Sequence, residues 1–194
     1  MELPKRIILK SMNRGNPIYF KEANKVLLPV FKCGYTSSHK AYCPIGKVLA
    51  SFNDLIDYED VEKVTMVRNP YDRVVSLWTS ETNKDNLHGM SNSFESFVDN
   101  IELLLANGYA DGHYNTLVQN LSIKGKFMPD KVFKLEEKDE LLEYLPKSPD
   151  AFPKANASKS RQPDYQSYYT SVALIDTVSR IYKEDLEKFG YTFD

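Results

Sequence analysis

Short apolar runs alternate with stretches of helical periodicity along this 194-residue chain. Val26 to Phe31 (VLLPVF) reads as a strand. A Lys-Cys-Gly-Tyr-Thr-Ser turn follows, and Ser38 to Ala50 has helical composition in spite of Pro44 and Gly46. The same order returns at Val64 to Val67 (VTMV), a β-branched run broken by Arg68-Asn69-Pro70. After it, Tyr71 to Thr79 carries apolar residues at helical spacing, with proline suited to the first turn. A third strand is expected at Lys131 to Leu135, running into a charged helix from Glu136 to Tyr144 that Pro146 ends.

Between the second and third units, Phe94, Phe97, Val98, Ile101, Leu104 and Leu105 recur at intervals of three and four, the stripe of a helix that Asn107-Gly108 terminates. Ser171 to Phe189 repeats the pattern with Val172, Ile175, Val178, Tyr182 and Leu186, and Gly190 supplies the stop. Strands alternating with helices predict an α/β fold with a mainly parallel central sheet flanked by helices. No repeat or low-complexity linker divides the chain, so a single domain over residues 1–194 is the expectation.

A hydrophobic share of 42% against 27% charged residues places the chain among globular proteins. Its formal net charge of -2 removes any whole-surface attraction to nucleic acid or an anionic membrane, so an anion site must be local. Two cysteines, Cys33 and Cys43, are too few for a disulfide framework and have no histidine companion at metal-ligand spacing; free thiols in a reducing compartment are expected. The first ten residues lack the uninterrupted apolar core of a signal peptide, and no later run is long enough to span a bilayer, which predicts a cytoplasmic protein.

In an open parallel sheet, ligands bind beyond the carboxyl ends of the strands. Two loops stand out there. The first, Phe31 to Ser38, joins one cation, Lys32, to Cys33, a glycine at Gly34, Tyr35 and three consecutive hydroxyls, Thr36, Ser37 and Ser38, at a helix start. Backbone N–H groups, the helix dipole and hydroxyl donors would converge on a phosphate. The same Thr-Ser-Ser serves equally as ordinary capping chemistry. A Walker A loop is absent, because Gly46-Lys47 is followed by Val48 and Ala41 stands where the first glycine should be. The second loop puts Arg68 at the end of a strand and Ser76 two turns into the next helix; arginine suits bidentate recognition of phosphate oxygens. Pairing of Arg68 and Arg73 with neighbours such as Asp72 is the plainer reading.

Together the loops resemble those of the PAPS-dependent sulfotransferases, which use 3'-phosphoadenosine 5'-phosphosulfate (PAPS), and most of all the carbohydrate sulfotransferase branch, sulfotransferase family 2. The first is similar to their Pro-Lys-x-Gly-x-Thr-Ser loop for the 5'-phosphosulfate at Lys32, Gly34, Thr36 and Ser37, with Phe31 in place of proline. The second is similar to their 3'-phosphate motif at Val67, Arg68, Asn69, Pro70, Tyr71, Arg73, Val74 and Ser76. Asp111-Gly112-His113-Tyr114 resembles the family's Asp-x-His-Trp segment, without the Pro-Gln that usually follows. Asn156-Ala157-Ser158, Tyr168-Tyr169-Thr170, Tyr182-Lys183-Glu184-Asp185 and Phe189-Gly190-Tyr191 resemble its closing pattern; only the first 25 residues are unmatched.

The resemblance implies a P-loop-like sulfotransferase fold, a nucleotide donor, a carbohydrate acceptor, and Asn156 and Ser158 as nucleotide contacts. In-line displacement at sulfur asks for positioning and charge stabilisation, so no metal is invoked, and Lys32 would meet the charge developing on the bridging oxygen. The acceptor hydroxyl needs a base. The candidates are His113, Glu81, Asp111, His88, His39 and Asp57; His113 leads as a histidine in a family-like segment, and Glu81 is the alternative. Lys159 and Arg161 lie in a Ser-containing loop that could close over a nucleotide. Two other functions stay open: a non-catalytic module binding 3',5'-adenosine bisphosphate, and a kinase-like phosphotransferase, which the missing Lys-Ser/Thr pair argues against.

Overall fold

A computed structural model describes residues 15–82, 93–108, 111–148, 152–153 and 164–194, without the side chains of 81 and 82. In chain order the elements are β1 (Ile18–Phe20), β2 (Lys25–Leu28), α1 (Tyr35–Tyr42), β3 (Lys47–Val48), β4 (Glu62–Val67), α2 (Pro70–Thr82), α3 (Phe94–Ala106), α4 (Leu117–Asn120), β5 (Ser122–Ile123), β6 (Lys126–Phe127), β7 (Lys131–Lys134), α5 (Lys138–Tyr144), α6 (Val172–Ile181) and α7 (Lys183–Phe189). Short 3-10 turns occupy Phe52–Tyr58, Leu135–Glu137 and Gln166–Tyr168. The described residues fall into a sheet unit (15–68, 117–148 and 152–153) and a helical unit (69–82, 93–108, 111–116 and 164–194).

The sheet unit carries a five-stranded sheet in the order β3-β1-β2-β4-β7. Its middle is parallel as expected: β2 pairs with β4, and β4 with β7. At one edge, however, β1 and β3 add antiparallel ladders, so the sheet is mixed. Neither β1 nor β3 shows in the hydrophobic pattern, because two or three residues are too few to display an alternation. Val26, Leu27 and Leu28 and Val64 to Val67 are buried on both pleat faces, which explains why these strands read as continuous apolar runs. On one face Ile18, Phe20, Leu27, Val64, Met66 and Phe133 pack with Ala41 and Tyr42 of α1 and Leu141 of α5. Full burial of such a side chain contributes about 1.5 to 3 kcal/mol.

Proline accounts for two shifted boundaries. The first strand ends at Leu28 rather than Phe31, since Pro29 has no N–H for a ladder. Likewise α1 stops at Tyr42 rather than reaching Ala50: Cys43 caps it, Pro44 and Gly46 follow, and the remainder turns back into β3. After β7 the chain enters a 3-10 turn before α5, so the expected helix from Glu136 begins in tighter form.

In the helical unit, α2, α3 and α6 share a core of Tyr71, Val74, Val75, Leu77, Phe94, Phe97, Val98, Ile101, Leu174, Val178 and Tyr182. The hydroxyl of Ser93 caps α3 by accepting from Ser96 N, and Asn107 with left-handed Gly108 ends it. The C-terminal stretch is two helices, not one. Ser171 caps α6, Tyr182 breaks the run, and left-handed Gly190 closes α7. The buried stripe starts at Leu174; Val172, expected inside, is 71% exposed because it is the first residue past the cap, outside the face that meets the core.

Candidate functional site

The carboxyl ends of β2 and β4 lie side by side, Leu28 opposite Thr65, so the loops leaving these strands emerge at one edge of the sheet unit. Pro29 stops the first ladder, and Val30, Phe31 and Cys33 are buried, with Cys33 N donating to Val30 O at 3.1 Å. Between them Lys32 has φ +66, a left-handed conformation that a lysine adopts at a cost of about 1 to 2 kcal/mol. Arg68, the residue after β4 and 8% exposed, donates from Nη1 to Lys32 O at 3.1 Å, so the two loops are tied to each other.

Gly34 follows at φ +78 and serves as the N-cap of α1 with no side-chain cap. The dihedral is what favours glycine here, since a Cβ would meet only the Met66 Cε methyl at 2.6 Å, the movable end of a flexible side chain. Elsewhere serine hydroxyls cap helical starts, at Ser51, Ser93 and Ser171. At the opening of α1, where the first-turn amides lie at the dipole's positive end, Thr36 is half-buried and Ser37 and Ser38 are buried. Tyr35 packs at a tilt against both Phe31 and His39, at ring distances of 4.7 and 4.3 Å. Burial pushes the Tyr35 hydroxyl and the Cys43 thiol up and the His39 ring down, which keeps all three uncharged near neutral pH. Both cysteines are free thiols.

In the helical unit a second cluster forms around residues 111–115. Asp111 Oδ1 accepts from His113 N at 2.8 Å and lies 3.1 Å from His113 Nδ1. An ionised carboxylate only accepts, so Nδ1 carries the proton and the lone pair of the neutral ring falls on Nε2. The His113 side chain is 33% exposed, within reach of a solute, and that of Asp111 is 17% exposed. Arg73 is buried and donates to main-chain carbonyls of this segment: Nη1 to Asn115 O at 2.9 Å, and Nη2 to Gly112 O at 3.2 Å and His113 O at 3.0 Å. Asn69 caps α2 through Oδ1 to Tyr71 N at 3.0 Å, with Pro70 in the first turn.

Residues 36–192 match the sulfotransferase family. The chain belongs to that family, in its family 2 branch. No match was found among curated proteins or among solved structures. Within this sulfotransferase the matched segment takes in Thr36, Ser37, Ser38, Arg68, Ser76 and His113, while Lys32, Cys33, Gly34 and Tyr35 lie just before it. Ser76 sits half-buried on α2. Of the other bases considered, Asp57 is exposed on the 3-10 turn, His39 is packed on α1 against Cys43 at 3.1 Å, and Asp111 orients His113. Glu81 lies in the last turn of α2, its side chain outside the described residues, as are His88, Asn156, Ser158, Lys159 and Arg161.

Sequence reasoning missed two features of the sulfotransferase. Lys134, in register with Val67, ends β7 at the same sheet edge as Arg68, a placement visible only once the strands are paired. Tyr182 donates its hydroxyl to Tyr114 O at 2.8 Å, which gives the closing Tyr-x-x-Asp pattern a structural use. Among the described residues no three His, Cys, Asp or Glu side chains gather as a metal site, and no helix is long and apolar enough to cross a membrane.

Proposed function

We propose that this sulfotransferase moves a sulfuryl group from PAPS to a hydroxyl of a carbohydrate acceptor by in-line displacement, without a metal ion. The observation that carries the reading is the left-handed Lys32-x-Gly34 turn, tied down by Arg68 and opening onto a helix start that lacks a side-chain cap. A phosphate-sized anion suits that opening, since the first-turn amides of α1 carry the positive end of the helix dipole and Lys32 stands two residues before the N-cap. Lys32, Cys33, Gly34, Tyr35, Thr36, Ser37 and Ser38 then hold the 5'-phosphosulfate, and Arg68 and Ser76 the 3'-phosphate, with Asn156 and Ser158 as further nucleotide contacts.

PAPS supplies an activated sulfuryl group on a phosphate leaving group. Lys32 stabilises the negative charge that grows on the departing oxygen, a contribution larger in the transition state than in the ground state. His113 Nε2 takes the acceptor proton, and Asp111 holds the tautomer that makes this possible. The likeness of the two loops to those of the carbohydrate branch supports a sugar hydroxyl as the acceptor.

Calorimetry with 3',5'-adenosine bisphosphate against 5'-AMP, followed by PAPS assays on glycan acceptors, tests the reading. The bisphosphate should bind more tightly with no metal added. Arg68→Ala should weaken it by about 1.5 to 3 kcal/mol, the worth of a charge-assisted contact. Equal affinities for the two nucleotides would remove the 3'-phosphate site from the proposal. Bisphosphate binding without transfer to any glycan would favour a binding module.

A further inference from the structure

Four consecutive carbonyls on the segment that carries His113 each accept a hydrogen bond from a side chain. Arg73 serves Gly112, His113 and Asn115, and the Tyr182 hydroxyl serves Tyr114 between them. Inside the segment Tyr114 N and Asn115 N both donate to Asp111 O, at 3.0 and 3.1 Å. Main chain that turns this tightly offers its carbonyls outward, and here side chains collect them.

Both donors are themselves fixed. Arg73 and Tyr182 are each 1% exposed, and the guanidinium carbon lies 5.8 Å from the Tyr182 ring centroid. A guanidinium taken out of water needs its lost hydration replaced, and three carbonyls at 2.9 to 3.2 Å do this. Its planar fork also sets the spacing of those carbonyls, which a single-point ammonium cannot do. Burial pushes the Tyr182 hydroxyl up to about 12, opposed by Arg73 and aided by Asp185, so it remains a donor across any assay range.

We infer that Arg73 and Tyr182 are positioning residues for proton transfer, setting the His113 imidazole through the backbone of residues 112–115. The inference rests on His113 being the base, as proposed above. A base must stand within a few tenths of an ångström of its productive place, and small displacements are costly in rate. Asp111 fixes the ring's tautomer; Arg73 and Tyr182 fix the backbone from which the ring projects.

The test is a set of variants in the full chain, with kcat, acceptor KM, 3',5'-adenosine bisphosphate affinity, melting temperature and the pH profile of kcat measured for each. Tyr182→Phe removes one hydroxyl and keeps the ring beside Arg73, so folding is preserved. Its kcat should fall about 10-fold, and that of Arg73→Lys by up to about 100-fold, the scale of a base misplaced by up to 1 Å. Bisphosphate affinity should stay unchanged in both, and the acid limb of the kcat profile should move. In a His113→Ala background, Tyr182→Phe should cost nothing further, because residues acting through one group are not additive. An equal loss from Tyr182→Phe with and without His113, or a wild-type kcat in Tyr182→Phe beside a crippled His113→Ala, overturns the positioning role alone. Near wild-type turnover in His113→Ala overturns the base assignment.

Discussion

Lys32 is the residue at which conformation and chemistry can be separated. Its left-handed backbone costs energy that glycine would not, so Lys32→Gly should be at least as stable as the wild type, gaining up to about 1 kcal/mol in urea unfolding. The same variant should lose most of its turnover, because the ammonium that meets the leaving oxygen is gone. A Lys32→Gly protein with intact transfer would show that the lysine was kept for some other reason. A related economy appears at three buried cations: Lys63 Nζ donates to Glu59 O and Val61 O, Arg68 to Lys32 O, and Arg73 to three carbonyls. Main-chain acceptors replace part of their hydration, and each cation thereby fixes a turn.

Helix α1 joins the proposed phosphate loop to a face made of Tyr35, His39 and Cys43. Among the described residues His39 Nε2 is buried without a hydrogen-bond partner, and burial lowers the ring's pKa from its ordinary value, the Asn16 backbone opposing part of that shift. For a histidine depressed in the folded state, the unfolded chain binds more protons as pH falls. Its stabilising share is therefore complete above about pH 6.5 and is lost as pH drops through the histidine range. Urea unfolding at pH 7.5 and 5.5 should show a larger loss in the wild type than in His39→Gln, whose side chain does not titrate. Identical losses would place the acid sensitivity elsewhere. The remaining elements follow from local chemistry in the same way: serine caps open α3 and α6, and glycine in the left-handed region closes α7.

At the scale of the whole molecule, a ligand that binds only the folded state raises the melting temperature in proportion to the logarithm of its concentration over Kd. Millimolar 3',5'-adenosine bisphosphate should raise the melting temperature by several degrees with or without a chelator, and 5'-AMP at the same concentration should raise it less. A shift that vanishes with the chelator would contradict metal-free binding. The amino-acid order alone was enough for the strands β2, β4 and β7, the helices with full stripes, their glycine stops, and both family-like loops, because apolar period and stop signals are encoded within a few residues of one another. It was silent on β1 and β3, whose ladders depend on partners 5 to 30 residues away and leave no alternation of their own. It misplaced Val172 inside the stripe, because that residue's exposure depends on where α6 begins. Above all it could not assign Arg73 and Tyr182. Every residue has a carbonyl, so a side chain that binds carbonyls leaves no partner to read in the sequence, and only folding, which carried residues 112–115 to them, decided their role.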